Sequence, residues 1–175
     1  YEGGVTGQAL SLGGFASYVS VDSVGIGSAA PRTIAGWAKA NSDAMADWTG
    51  IFGFTGPSTN GQHFDFQVVG GTANTTAGYF GLHRHGWEMD ASANDQEWHH
   101  LAATFDGTIV SIYADGRLIN TDSVTNVNTP GAVQMGKRED NDNFFEGLID
   151  DVRIYDAPLS AEEIAWLAGK RTPIH

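Results

Sequence analysis

The stretch EWHHLAATFDGTIVSIYADGRLI, residues 97–119, sets short apolar runs against turn residues, and its Asp115-Gly116 pair stands between IVSIYA and RLI. A tight primed turn needs positive φ, which glycine adopts without penalty, so this pair predicts a β-hairpin. The same grammar extends outward in both directions. ALSL, YVSV, TIAGWAKA, GIFGF, HFDFQVV and GYFGLHRH precede it, and AVQMG and LIDDVRIY follow, each bounded by Gly, Asn, Asp or Ser. Many short alternating strands with such spacing predict an all-β, antiparallel two-sheet sandwich spanning residues 1–175 as one domain. One short C-terminal helix is expected in LSAEEIAWLAG. There Ser160 and Glu163 form a capping box, Ile164, Leu167 and Ala168 an apolar stripe, and Gly169 the stop. GPSTNG and VGGTANTTAG read as exposed loops.

Composition narrows the function. The 175 residues carry a formal net charge of -12 and no cysteine. Phosphate backbones would be repelled, so nucleic acid is not an expected partner, whereas the spare carboxylates suit a hard cation such as calcium. No apolar run is long enough for a transmembrane helix, so membrane insertion is not expected. The opening YEGGVTGQAL has neither part of a signal peptide, and the chain reads as a mature fragment or excised module.

The block from Glu97 to Ile119, followed by VQMGKREDNDNFFEGLIDDVRIYDAPLSAEEIAWL, resembles the second half of bacterial laminin G-like, concanavalin A-like jelly-roll domains. The matching features are WHHLAATFDG, YADG, FEGLIDDVRIY and the leucine-serine helix start. GQALSLGGFASYVSV and TIAGWAKA match the family's opening more loosely, and the chain begins where the family's extra first strand would end. The resemblance implies a jelly-roll sandwich. It also implies a non-catalytic module of secreted polysaccharide-degrading or adhesive proteins, with a bound calcium.

Strand parity locates a candidate face. In HFDFQVV, Phe64, Phe66 and Val68 should point to the core and His63, Asp65 and Gln67 away from it. In GYFGLHRH, Phe80 and Leu82 should point inward, and Tyr79, His83 and His85 outward. Paired, these strands would present rings beside planar hydrogen-bonding groups, a combination that suits sugars. Trp87 and Trp48, both near loops, are the expected stacking platforms, and Arg138 is a further expected contact. The alternatives are an ordinary solvated sheet face and a zinc triad of His63, His83 and His85. Trp37, Trp98 and Trp166 are expected to pack internally, as is the His99–His100 pair.

Two acidic clusters compete for calcium. Asp150 and Asp151 lie in GLIDDVRIY, where regular alternation would put Asp150 on the core side with Val152 and Ile154; the family resemblance points to the same aspartate. Glu139, Asp140, Asp142 and Asn143 in REDNDNFFEG offer hard oxygen ligands. A retaining glycosidase would need a second close carboxylate, but after Glu88 and Asp90 the segment offers Ser92 and Ala93. The expected function is therefore a non-catalytic carbohydrate-binding module, extracellular and tethered to other domains of a parent protein, with a polysaccharide or oligosaccharide as partner. A structural or adhesive module that binds a protein is the alternative, and a glycoside hydrolase a third reading.

Overall fold

The structure is a computed structural model and describes residues 1–42, 45–57, 61–69, 79–83, 88–124, 126–138 and 142–170, with the side chains of 79, 83, 88–90, 92 and 93 left undescribed. Its strands are β1 (Glu2–Gly3), β2 (Gln8–Gly13), β3 (Val19–Val21), β4 (Arg32–Ala40), β5 (Thr49–Phe54), β6 (Phe64–Val69) and β7 (Tyr79–His83). They continue with β8 (Glu88–Ala93), β9 (His99–Phe105), β10 (Ile109–Ala114), β11 (Arg117–Ser123), β12 (Val133–Met135) and β13 (Glu146–Tyr155), and helix α1 (Ala161–Leu167) closes the chain. Among the described residues they form two antiparallel sheets, ordered β1-β2-β13-β4-β9-β10-β11 and β3-β12-β5-β6-β7-β8. This is the expected jelly-roll sandwich.

The space between the sheets is filled from both sides by alternate side chains. Phe52, Phe54, Phe64, Phe66, Val68, Phe80 and Leu82 come from the six-stranded sheet, and Ile34, Ala38, Leu101, Ala103, Phe105 and Ile149 from the seven-stranded one. Phenylalanines dominate one side and aliphatic residues the other, and the layers interdigitate. Arg32 is fully buried at the start of β4, with its guanidinium 4.8 Å from the Phe54 ring centroid. It donates to the carbonyls of Gly27, Ser28 and Ala30 and to Thr129, so the charge that burial disfavours is surrounded by oxygen.

The hairpin at Asp115-Gly116 forms as expected, with φ of 50° and 73° at the two turn residues. Asp115 also receives the His100 amide at 3.0 Å and the His99 ring at 3.0 Å, tying the turn to the start of β9. The capping box forms with both reciprocal bonds. Helix α1 packs on the outer face of the seven-stranded sheet, where Ile164 meets Ala35, Ala102 and Tyr113, flanked by Leu159 and Leu167.

Three expectations are corrected here. Trp166 is not a packing residue: the helix buries Ile164 and Ala165, which leaves the indole 64% exposed. Asp150 does not share a face with Val152 and Ile154. A bulge between Asp150 and Arg153, with Asp151 at φ 48°, inserts one residue, so Ile149, Val152 and Ile154 face the core. Asp150 instead stands beside Trp37 on the outer face. The segment 88–93, which carries no expected strand, is β8 and pairs with β7.

Candidate functional site

The outer face of the six-stranded sheet is where the expected residues gather. Phe64, Phe66 and Val68 face the core, and the alternate positions Asp65 and Gln67, with His63 just before the strand, occupy the opposite side. Parity holds, and the face is not the ordinary solvated one of the alternative reading: His63, Asp65, Gln67 and Arg138 are all buried. Several of their polar atoms meet one another instead. Arg138 Nη1 donates to Gln67 Oε1 at 3.1 Å, and Gln67 Nε2 donates to Asp65 Oδ2 at 2.7 Å. His63 Nδ1 lies 3.6 Å from Asp65 Oδ1 and 3.4 Å from Thr55 Oγ1. A relay of five polar side chains thus runs Thr55–His63–Asp65–Gln67–Arg138 away from the hydrophobic core. Burial pushes the Asp65 carboxyl above its ordinary value, against the opposing pull of His63, Gln67 and Arg138.

Glycine makes the arrangement possible. A Cβ at Gly50 would fall 2.6 Å from the Arg138 amide nitrogen, so only a bare residue lets the Arg138 segment lie against β5. Trp48 stands two residues before Gly50, half-buried, in the left-handed region at φ 65°, its amide donating to Val68 O at 2.9 Å. Holding a tryptophan in that conformation costs roughly 1–3 kcal/mol, the kind of local strain that clusters at binding sites. Asn143 Nδ2 donates to Asp47 O at 2.8 Å, which draws the 142–145 segment to the same end of the face.

The remaining expected residues divide by location. β7 pairs with β6 so that His83 lies opposite Asp65 and Tyr79 opposite Val69 in the ladder. The side chains of Tyr79 and His83, and all of His85, Trp87, Glu139 and Asp140, lie outside the described residues. Asp150 Oδ2 accepts from the Thr6 amide at 2.8 Å and lies 3.4 Å from the Thr6 hydroxyl. Asp151 accepts from Arg153 through both oxygens at 2.9 Å. These two carboxylates are thus engaged by protein donors. Asp142 is exposed and pairs with Lys137 at 3.3 Å. Among the described residues no three His, Cys, Asp or Glu side chains converge as a metal site requires.

Sequence reasoning did not single out Tyr18 and Phe144. Their ring centroids are 6.3 Å apart, with Lys137 Nζ 5.1 Å and 5.2 Å from them, at the β3–β12 edge of the same sheet. The only sequence signal was the FF pair in the acidic loop and a tyrosine opening a strand. Their meeting depends on β3 pairing with β12, more than a hundred residues away.

Several solved structures share this architecture. Domain 4 of AbnA, a GH43 extracellular arabinanase from Geobacillus stearothermophilus in complex with arabinotriose, is 22% identical over 96% of this chain and 80% of its own, with a TM-score of 0.73. The CBM40 of Ruminococcus gnavus IT-sialidase is 15% identical over 93% and 96% of the two chains, with a TM-score of 0.66. The heptameric SAP-like pentraxin of Limulus polyphemus is 14% identical over 90% and 80%, with a TM-score of 0.62. At these identities the likeness is one of fold. No curated protein matches the chain. The family model of the concanavalin A-like lectin/glucanases superfamily matches residues 12–165, nearly the whole sandwich, and the chain belongs to that superfamily as a laminin G-like member.

Proposed function

We propose that this chain is a non-catalytic carbohydrate-binding module, extracellular and carried by a larger protein. The observation that carries the reading is the relay from Thr55 to Arg138. A sandwich face turned away from the core ordinarily meets water, yet here an imidazole, a carboxyl, an amide and a guanidinium are buried in fixed mutual orientation. Such a floor orients planar hydrogen-bonding groups, and Trp48 supplies a flat ring at one end. The carbohydrate complex of the arabinanase domain adds support, since that fold presents a sugar in at least one relative.

A second reading is favoured by one observation. Trp166 lines a groove with Tyr155, Leu159, Glu163 and Leu167, and α1 packs against β11, where Leu118 and Ile119 are exposed. That apolar strip fits a protein partner and would make the chain a structural or adhesive module. A bound calcium, as the resemblance implies, belongs to the same proposal, held either by Asp150 and Asp151 or by Asp140 and Asp142.

Retention on a panel of plant, algal and bacterial polysaccharides, in calcium and in EDTA, tests the proposal. Specific retention that falls at least tenfold in a folded Trp48→Ala variant is expected. Loss in EDTA would make calcium necessary for binding. No retention on any polysaccharide in either buffer would overturn the glycan reading in favour of the protein-binding module.

A further inference from the structure

The strands that end the two sheets are unequal. β1 has two residues and β3 three, short enough to offer an incoming strand little. β11, at the far edge of the seven-stranded sheet, has seven, and all of them are exposed. Among the described residues β10 is its only hydrogen-bonded strand neighbour. RLINTDS holds neither proline nor lysine, two common guards of a free edge, and Leu118 and Ile119 are 53% and 47% exposed in it.

Register with β10 fixes which way the β11 side chains lie. Val110 and Ile112 of β10 face the core, and Tyr113 meets the helix. Arg117 stands opposite Ala114 and Asp122 opposite Val110, so both belong to the core side of the sheet. Leu118 stands opposite Tyr113 and Thr121 opposite Ser111, on the helix side. Ile119 is an extra residue, inserted where the register shifts.

An edge bulge ordinarily rejects an added strand, because that strand has no residue to match the inserted one. A second copy of β11, antiparallel about a two-fold axis between residues 119 and 120, brings the same extra residue to the same place. In that register Arg117 meets Asp122 of the second copy and Leu118 meets Thr121, each pair on one side of the sheet, and the axis repeats both pairs. A guard of one sign would repel its own copy. One arginine and one aspartate, placed symmetrically about the bulge, attract it twice.

We infer that β11 is a homodimer interface, at which two copies pair antiparallel and join their seven-stranded sheets into one. The inference goes beyond both functional readings: it names a second copy as the occupant of this edge and leaves the six-stranded sheet of each copy uncovered. The net charge of -12 on each copy opposes approach. At physiological salt, however, screening acts within about 8 Å, and directly opposed pairs lie inside that distance.

Sedimentation velocity from micromolar to near-millimolar chain, at about 0.15 M salt, tests the interface. A monomer–dimer equilibrium is expected. Arg117→Asp and Asp122→Arg should each weaken it by about tenfold or more, with the monomer's melting temperature unchanged. The two variants mixed in equal amounts should restore it, because every facing pair is again of opposite sign. Asp122→Arg also makes the chain less negative, so an association without this register would strengthen in that variant. A chain that stays monomeric throughout, a dimer unaltered in both variants, or a loss that mixing does not restore would overturn the interface. Retention on polysaccharides, measured on the same samples, decides between the functional readings whichever way the dimer falls.

Discussion

The two outer faces of this sandwich are finished in opposite ways. On the seven-stranded sheet the helix lays Ile164 on Ala35, Ala102 and Tyr113, and Trp37 meets His100 edge-on with centroids 5.2 Å apart. On the six-stranded sheet the corresponding layer is polar, built from His63, Asp65, Gln67 and Arg138. Apolar closure stabilises simply by removing area from water, whereas a buried polar layer gains little net stability from each bond and loses heavily when one is left unmade. The comparison teaches that the first face serves the fold and the second is retained in spite of its cost to the fold, which is the pattern expected of a binding surface.

The sharpest break in that comparison comes from glycine. A Cβ at Gly53 would lie 2.3 Å from the Asp65 Cα, at φ 152°, so the obstruction is backbone and cannot move aside. Gly53→Ala should cost about 3 kcal/mol or more. Gly36, in the seven-stranded sheet, would place its Cβ 3.0 Å from Val152 Cγ2 and 3.2 Å from Phe52 Cζ, side-chain ends that can yield. Gly36→Ala should cost about 1 kcal/mol. Urea unfolding of both variants decides it, and equal costs would mean that the Asp65 backbone against Gly53 yields as readily as the core side chains packed over Gly36.

A second contrast lies in pH. Burial holds His100 down to about 4 from 6.5, outweighing Asp115 and Asp151, so the folded protein keeps it neutral. Its contribution is complete above pH 6.5 and is lost as pH falls from there to about 4, on the order of 3 kcal/mol. Asp65 runs the other way. Its pKa is raised by burial, so its contribution is complete below 3.8 and is lost as pH rises through the raised value. Acid therefore loosens the seven-stranded sheet and base the six-stranded one. In stability measured by urea across pH, His100→Gln should remove most of the acid-side slope and Asp65→Asn the opposing one; an unchanged acid limb in His100→Gln would break the assignment.

What was legible in the sequence was local. The Asp115-Gly116 hairpin and the Ser160–Glu163 capping box each depend on a few adjacent residues, and both stand as expected. β8 was missed because Glu88, Asp90 and Ser92 invited a test for catalytic spacing, and the partners of that alternation, Met89, Ala91 and Ala93, make a weak apolar signal. Asp150 went to the wrong side because one inserted residue, Asp151, reverses parity without any mark in the pattern. In the site, β6 showed its polar face in HFDFQVV, but its burial did not show, since that depends on Arg138 arriving from far along the chain. Tyr18 and Phe144 were invisible for the same reason: their meeting is set by the pairing of β3 with β12, which neither strand contains.

The smallest effect compares two arginines on the two faces. Arg138 is buried and donates to Gln67, so Arg138→Met leaves a buried amide oxygen without its donor and should cost about 2 kcal/mol. It also removes a charge that draws the Asp65 pKa down, so the alkaline-side loss of stability should shift to still higher pH. Arg153 makes two bonds of 2.9 Å to Asp151, a better geometry on paper, but its side chain is 42% exposed. Water replaces those bonds when they are lost, and Arg153→Met should cost under about 1 kcal/mol. Unfolding free energies of the two variants, measured at two salt concentrations, separate the cases: the Arg153 effect should shrink with salt and the Arg138 effect should not. A larger loss at Arg153 would mean that the bulge at Asp151, rather than the polar relay, is the more heavily used polar structure of the sandwich.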